Sequence, residues 1–454
     1  MASTRVQRYL RMWIPLCILI GILSGLGAAA FHAVLRVCTE LILGGVVKHR
    51  PATLASEGGF HLATGFSPLW AVPLVVAGGA LVATAFVLWL APESAGHGTD
   101  AAIHAAHHDP SGTPIRVALT KLVASGITIG SGGSGGSEGP TAQITAALAS
   151  LVARTFRLPF QHAKTVVIIG FAAGVGAIFR TPLGGTLLGA EMLYRSDLES
   201  KVIVPGLISS TVAYVVFGLI HGFDPIFDTV APYHWDSVLQ FLAFPLLGLL
   251  AGLLGRLYIQ TFYATAGWFS HGLLGRRFPM LLRPALAGGL VGGIGVVVPG
   301  VLGTGYGAAQ AALDPGTVLQ MSLWIVLAIP FAKILATSLS IGSGGSGGIF
   351  GPGLVIGATA GAAAWRLLEP FGLAPTSPAP FVIAGMAACL GSIAHAPLAL
   401  IVMAVEATNN PSMLVPTMVA TSIACFVVGD RTLYRSQLRT RADAPTAVVT
   451  PCQP

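Results

Sequence analysis

The chain has 454 residues, of which 54% are hydrophobic and only 9% charged, and its mean hydropathy is +0.79. Soluble globular proteins carry roughly 25% charged residues, so this composition excludes that class and predicts a polytopic integral membrane protein. The formal charge of +7 shows no basic patch interleaved with aromatics, so it reads as a membrane-topology signal and nucleic acid is not an expected partner.

In chain order, Arg5, Arg8 and Arg11 precede the first apolar run, Trp13–Leu35. That run is too long for a signal peptide and matches later segments, so it is expected to stay as a helix, with the arginines on the cytoplasmic side. Pro68–Leu90 is the next span. Gly96-His97-Gly98-Thr99-Asp100 follows, and then His104, His107, His108 and Asp109 at helical spacing. His104 and His108 share a helix face, as a zinc or copper pair would. No HExxH order or nearby cysteine accompanies them, so a water-facing helix end is the reading and no metal or cofactor is expected. Five cysteines, Cys17, Cys38, Cys389, Cys425 and Cys452, show no paired spacing and read as small apolar fillers.

Beyond Lys121 comes GSGGSGGSEGP, Gly130–Pro140. A glycine run leading into a helix start, with proline in the first turn, exposes backbone N–H groups that the helix leaves unpaired. These carry the positive end of the helix dipole and suit an anion. Glu138 stands among them. A capping glutamate is the plainer reading, but an ionisable residue inside the membrane is functional by default.

The chain then repeats itself. GSGGSGGIFGP, Gly342–Pro352, lies 212 residues further on, with Phe350 at the place of Glu138. Val382 to Cys389 parallels Val167 to Gly174. Pro397 parallels Pro182, and Glu406 parallels Glu191. Gly303-Thr304-Gly305-Tyr306 parallels Gly96-His97-Gly98-Thr99, and Gly248 parallels Gly21. Landmarks in one order define two repeats, about 12–225 and 238–438. Close helix packing needs small residues only four apart and leaves six glycines in eleven positions unexplained. Broken segments at corresponding places point to a shared site at mid-membrane.

This ordered set resembles the CLC family of chloride channels and proton-coupled anion exchangers, over nearly the whole chain. Gly136-Ser137-Glu138-Gly139-Pro140 is similar to the family stretch Gly-Arg/Lys-Glu-Gly-Pro that holds the gating glutamate. Gly348-Ile349-Phe350-Gly351-Pro352 is similar to the family's Gly-x-Phe-x-Pro, and Tyr434 has the place of its pore tyrosine. The resemblance implies an all-α polytopic fold of two inverted repeats of tilted and broken helices. With only a short Ala/Pro/Thr tail after Arg441, one membrane domain over 1–454 and no soluble regulatory domain are expected. The resemblance implies transport and not enzymatic activity, with Glu138 as the gate and His97, Gly139, Ile349, Phe350 and Tyr434 as the anion site. It also implies chloride or another monovalent anion as substrate, protons as a candidate second one, and a homodimer in the bilayer that meets through Ile203–Ile220 and Met413–Val428. The expected location is the cell membrane with both termini cytoplasmic, Arg431, Arg435, Arg439 and Arg441 marking the second one.

The sequence departs from the family at four places. His97 replaces the serine of Gly-Ser-Gly-Ile-Pro, and a side chain with an ordinary pKa of roughly 6.5 makes a pH-sensitive ligand. Asp100 replaces the proline and is expected to cap the following helix. Ser137 replaces a basic residue, which leaves Lys121 to supply part of the field. Met192 stands where exchangers carry an inner proton glutamate, so a channel-like or uncoupled pathway is expected, with an exchanger using an unusual proton route as the alternative. Glu191 and Glu406 are expected to be structural. A reading from another class is an intramembrane serine protease, because Gly132–Gly135 and Gly344–Gly347 both satisfy GxSG. A protease has one nucleophile, a late histidine and no inverted repeat, and His395 is late but lies in the repeated Ala-Pro segment.

Overall fold

The computed structural model describes residues 2–54, 61–227 and 238–444. The side chains of Arg5, Arg8 and Arg11 and the whole of Cys452 lie outside what is described. Two series of eight principal helices follow each other, joined by turns and shorter helical pieces. The first comprises α1 (Ala2–Thr39), α2 (Ala71–Leu90), α3 (Thr99–His108), α4 (Ile115–Gly130), α5 (Glu138–Thr155), α6 (Phe160–Ile178), α7 (Pro182–Glu191) and α8 (Ile203–His221). The second comprises α9 (Val238–Ser270), α10 (Leu282–Val297), α11 (Tyr306–Leu313), α12 (Leu323–Gly342), α13 (Phe350–Leu368), α14 (Ala379–Ala394), α15 (Pro397–Thr408) and α16 (Leu414–Val428). Each helix of the second series answers the one eight places earlier. Among the described residues, seven helices are long and apolar enough to cross a membrane, and strand geometry is confined to isolated bridges.

Equivalent glycines allow equivalent crossings. Gly21 of α1 lies so close to α8 that a Cβ there would sit 2.6 Å from the Ser209 carbonyl. Gly248 of α9 meets α16 in the same way, 2.3 Å from the Ala420 carbonyl. No methyl group fits at either distance, so both helix pairs depend on glycine.

The repeats also lock onto each other. Glu191, at the end of α7, accepts the N–H groups of Leu398 and Ala399 at 3.3 and 2.7 Å, in the first turn of α15. Glu406 of α15 accepts those of Leu183 and Gly184 at 3.2 and 2.7 Å, in the first turn of α7. Each carboxylate satisfies donors that the facing helix leaves open and complements its positive end. This is the structural role expected of both.

Candidate anion pathway

The two glycine loops cross at the centre. Gly136 and Gly348 exchange both backbone hydrogen bonds, N to O at 2.7 and 2.8 Å, as an antiparallel bridge. They are equivalent residues, so the axis relating the repeats passes between them. A Cβ on Gly348 would lie 2.6 Å from the Gly136 carbonyl, so the crossing admits no side chain. Flanking contacts come in matched pairs. The Gly135 N–H donates to Gly303 O at 3.2 Å, and Gly347 N–H to Gly96 O at 3.3 Å. Ser134 pairs with Thr337 and Ser125 with Ser346, hydroxyl to hydroxyl, both at 2.9 Å. Lys121 donates to the carbonyls of Ser94 and Gly96, while Lys333 donates to those of Val301 and Gly303. These fully buried side chains tie the loops before α3 and α11 inward.

Four helix starts therefore converge: α5 at Glu138, α13 at Phe350, α3 at Thr99 and α11 at Tyr306. The N–H groups of Gly139, Ile349 and Phe350 lie in or beside open first turns. Glu138, 1% exposed, places its carboxylate on the start of α13. Its Oε2 accepts Gly351 N–H at 3.0 Å, and its Oε1 accepts the Ser137 hydroxyl at 2.7 Å and the Tyr306 hydroxyl. A carboxylate thus fills a place furnished with donors that an anion would use.

His97 lies against the start of α5. Its carbonyl lies 2.2 Å from where a Cβ on Gly139 would be, and Gly98, at φ +79°, packs against the Gly139 carbonyl. The His97 Nδ1 is enclosed and has no hydrogen-bond partner. Tyr434 approaches it with ring centroids 5.8 Å apart. Tyr434 is fully buried, and its hydroxyl, beside Thr99, lacks a partner of good geometry. An enclosed ring nitrogen without a partner is costly unless a ligand meets it. The chain after α16 brings Tyr434 there: Leu433 N–H donates to Ile393 O at 2.9 Å, and the Gln437 amide donates to the Met192 and Ala394 carbonyls. Asp100 corrects the sequence reading. It sits inside α3 and caps nothing, the N-cap being Gly98. Its carboxylate instead accepts Ser436 N–H at 2.8 Å and so helps hold the Tyr434 segment.

On the side where α1 ends, a cavity of about 1090 Å³ reaches Ser137 and Tyr306 and is bordered by Arg36, Arg50 and Arg180. This vestibule is lined by both hydroxyl-bearing partners of the Glu138 carboxylate, Ser137 and Tyr306. On α3, His104 and His108 are exposed and stacked 4.2 Å apart, and His107 is buried. Among the described residues no group of three or more ligating side chains could hold a metal. The protease reading fails on geometry. Ser134 and Ser346 each pair with a hydroxyl of the opposite repeat, and His395 bonds the Arg431 carbonyl. Sequence reasoning missed Tyr306 and Lys333. Both were findable as repeat counterparts, of Thr99 and Lys121.

The architecture is that of an inverted-repeat membrane protein whose halves cross at two glycine loops. The sequence family described as voltage gated chloride channel matches residues 78–429. An H(+)/Cl(-) exchange transporter ClcA of Citrobacter koseri is 32% identical over 340 residues, 71% of this chain and 68% of that protein. A slow cyanobacterial Cl-/H+ antiporter superposes with a TM-score of 0.75 at 23% identity, covering 93% and 96% of the two chains. A CLC-type fluoride/proton antiporter gives 0.78 at 21%, covering 95% and 98%. At such identities the structures speak for the fold alone. The chain belongs to the voltage-gated chloride channel, or CLC, family of anion-transporting multi-pass membrane proteins.

Proposed function

We propose that this protein moves chloride or a similar monovalent anion through a pathway gated by Glu138. The observation that carries this is the Glu138 carboxylate itself, seated on the start of α13 where the repeats cross, while its repeat equivalent is Phe350. Protonation removes the charge that the surrounding donors hold, so the side chain leaves and an anion takes the seat. The N–H groups of Gly139, Ile349 and Phe350, the His97 ring and the Tyr434 hydroxyl form the deeper anion site. In this reading a neutral His97 donates one N–H, the part a serine hydroxyl plays in the family. Both termini face the cytoplasm of a cell membrane, and two copies meet through the exposed apolar residues of α8 and α16, such as Leu219 and Phe426.

Met192 favours an uncoupled pathway, because a thioether carries no proton. The curated relative's name, an H(+)/Cl(-) exchanger, supports the second reading, an exchanger with an unusual proton route. Purified protein in liposomes, with voltage clamped by potassium and valinomycin, separates them. Chloride release above that of empty liposomes is expected, with no uphill proton movement driven by a chloride gradient. Fixed-stoichiometry proton uptake selects the exchanger, and no anion flux at any pH or voltage from folded protein rejects both.

A further inference from the structure

The Tyr306 hydroxyl is a chemical feature that ring packing does not require. Tyr306 is the first residue of α11 and is 7% exposed. Its ring lies between Phe179 and Phe227, with centroids 6.2 and 6.3 Å away. Phenylalanine would fill that space equally well. A buried phenol is costly unless its hydroxyl finds a partner, and the partner here is the Glu138 carboxylate. Ser137 donates to the same oxygen. The family's basic residue is absent at 137, so neutral hydroxyls supply what a nearby cation would.

We propose that Tyr306 is a positioning residue for the gate: its hydroxyl latches the charged Glu138 side chain in the closed seat and so sets the pH at which the pathway opens. This rests on Glu138 being the gate. Among the other charged or titratable groups around the seat, Lys333 and Tyr434 feel the Glu138 charge without bonding it. Lys333 and Lys121 are tied to loop carbonyls. Arg180, at the vestibule, donates to the Asp224 and His221 carbonyls. His97 and Tyr434 stand on the far side of Gly139. Tyr306 also lines the vestibule, so the latch stands where the vestibule meets the Glu138 carboxylate.

The test is chloride flux against pH, equal on both sides of the liposome membrane, for wild type, Tyr306→Phe, Glu138→Gln and the double variant. Losing one hydrogen bond to a charged group makes the closed state easier to leave. The pH of half-maximal flux in Tyr306→Phe should rise by about one unit, tenfold in proton concentration. Ser137→Ala should shift it the same way. In the Glu138→Gln background Tyr306→Phe should change nothing, and flux through that double variant shows the pathway is intact. A wild-type midpoint in Tyr306→Phe, with a flat profile in Glu138→Gln, overturns the latch and leaves the gate standing. A Glu138→Gln profile identical to wild type overturns both.

Discussion

Glu138 and Glu191 are both carboxylates of the first repeat, buried and bonded to the first turn of a helix in the second. Glu191 has a mirror image in Glu406, and together they bolt α7 to α15. Glu138 has no mirror image, because Phe350 occupies the equivalent place. Glu191 is met by two backbone N–H groups, which are fixtures of the fold. Glu138 is met by the Gly351 N–H and by two hydroxyls, both on side chains that line the vestibule. The symmetric carboxylates therefore hold the scaffold, and the proposed gate is the asymmetric one. The same contrast runs through the core, where the lysine tethers and hydroxyl pairs are duplicated while His97 and Tyr434 are not.

Substitutions can break this comparison. The largest effect should come from Glu138→Gln, which empties the seat of charge. Flux at neutral pH should rise about ten- to a hundredfold and lose its pH dependence, with little change in thermal stability. A pH profile like that of wild type would reduce Glu138 to a cap. Glu191→Ala should do the reverse. Two buried N–H groups lose a charged acceptor, so stability should fall by about 2–4 kcal/mol, read as the melting temperature in detergent, while any protein that folds keeps its pH profile. Glu406→Ala, less buried, should cost less in the same direction. If Glu191→Ala melted like wild type but shifted the pH profile, the division between bolt and gate would be wrong.

Two smaller effects sharpen the picture. His97→Ala removes one donor from the deeper site and should weaken anion binding about tenfold by calorimetry, with His97→Ser restoring most of it. Unchanged affinity in both variants would move the anion away from His97. Ser134→Ala breaks one interrepeat hydroxyl pair and should cost about 1 kcal/mol with transport retained. A complete loss of flux in folded protein would show that this pair does more than join the loops.

Much of this is legible in the sequence. Six glycines in eleven residues can pass through a crowded crossing that no side chain could share, and that property is local to the backbone. The repeat offsets pair the second loop with the first, and the Glu138/Phe350 asymmetry is written in the sequence. Hydropathy alone marked the spans, because a bilayer selects for helices with few charges. What Asp100 does was misread, since capping is the commonest use of an aspartate at a helix start. Its true partner, Ser436, lies 336 residues away.

The sequence by itself determined the membrane class, the duplicated scaffold and the helix starts that suit an anion. These follow from composition, periodicity and backbone chemistry within short stretches of chain. Only the tertiary structure decided which side chains share the site. Tyr306 reaches Glu138 from 168 residues away, Tyr434 arrives beside His97 on a segment threaded in after α16, and Lys333 turns inward to its loop. These meetings depend on how long helices cross, and crossing is set by the sum of many packing contacts that no local pattern encodes.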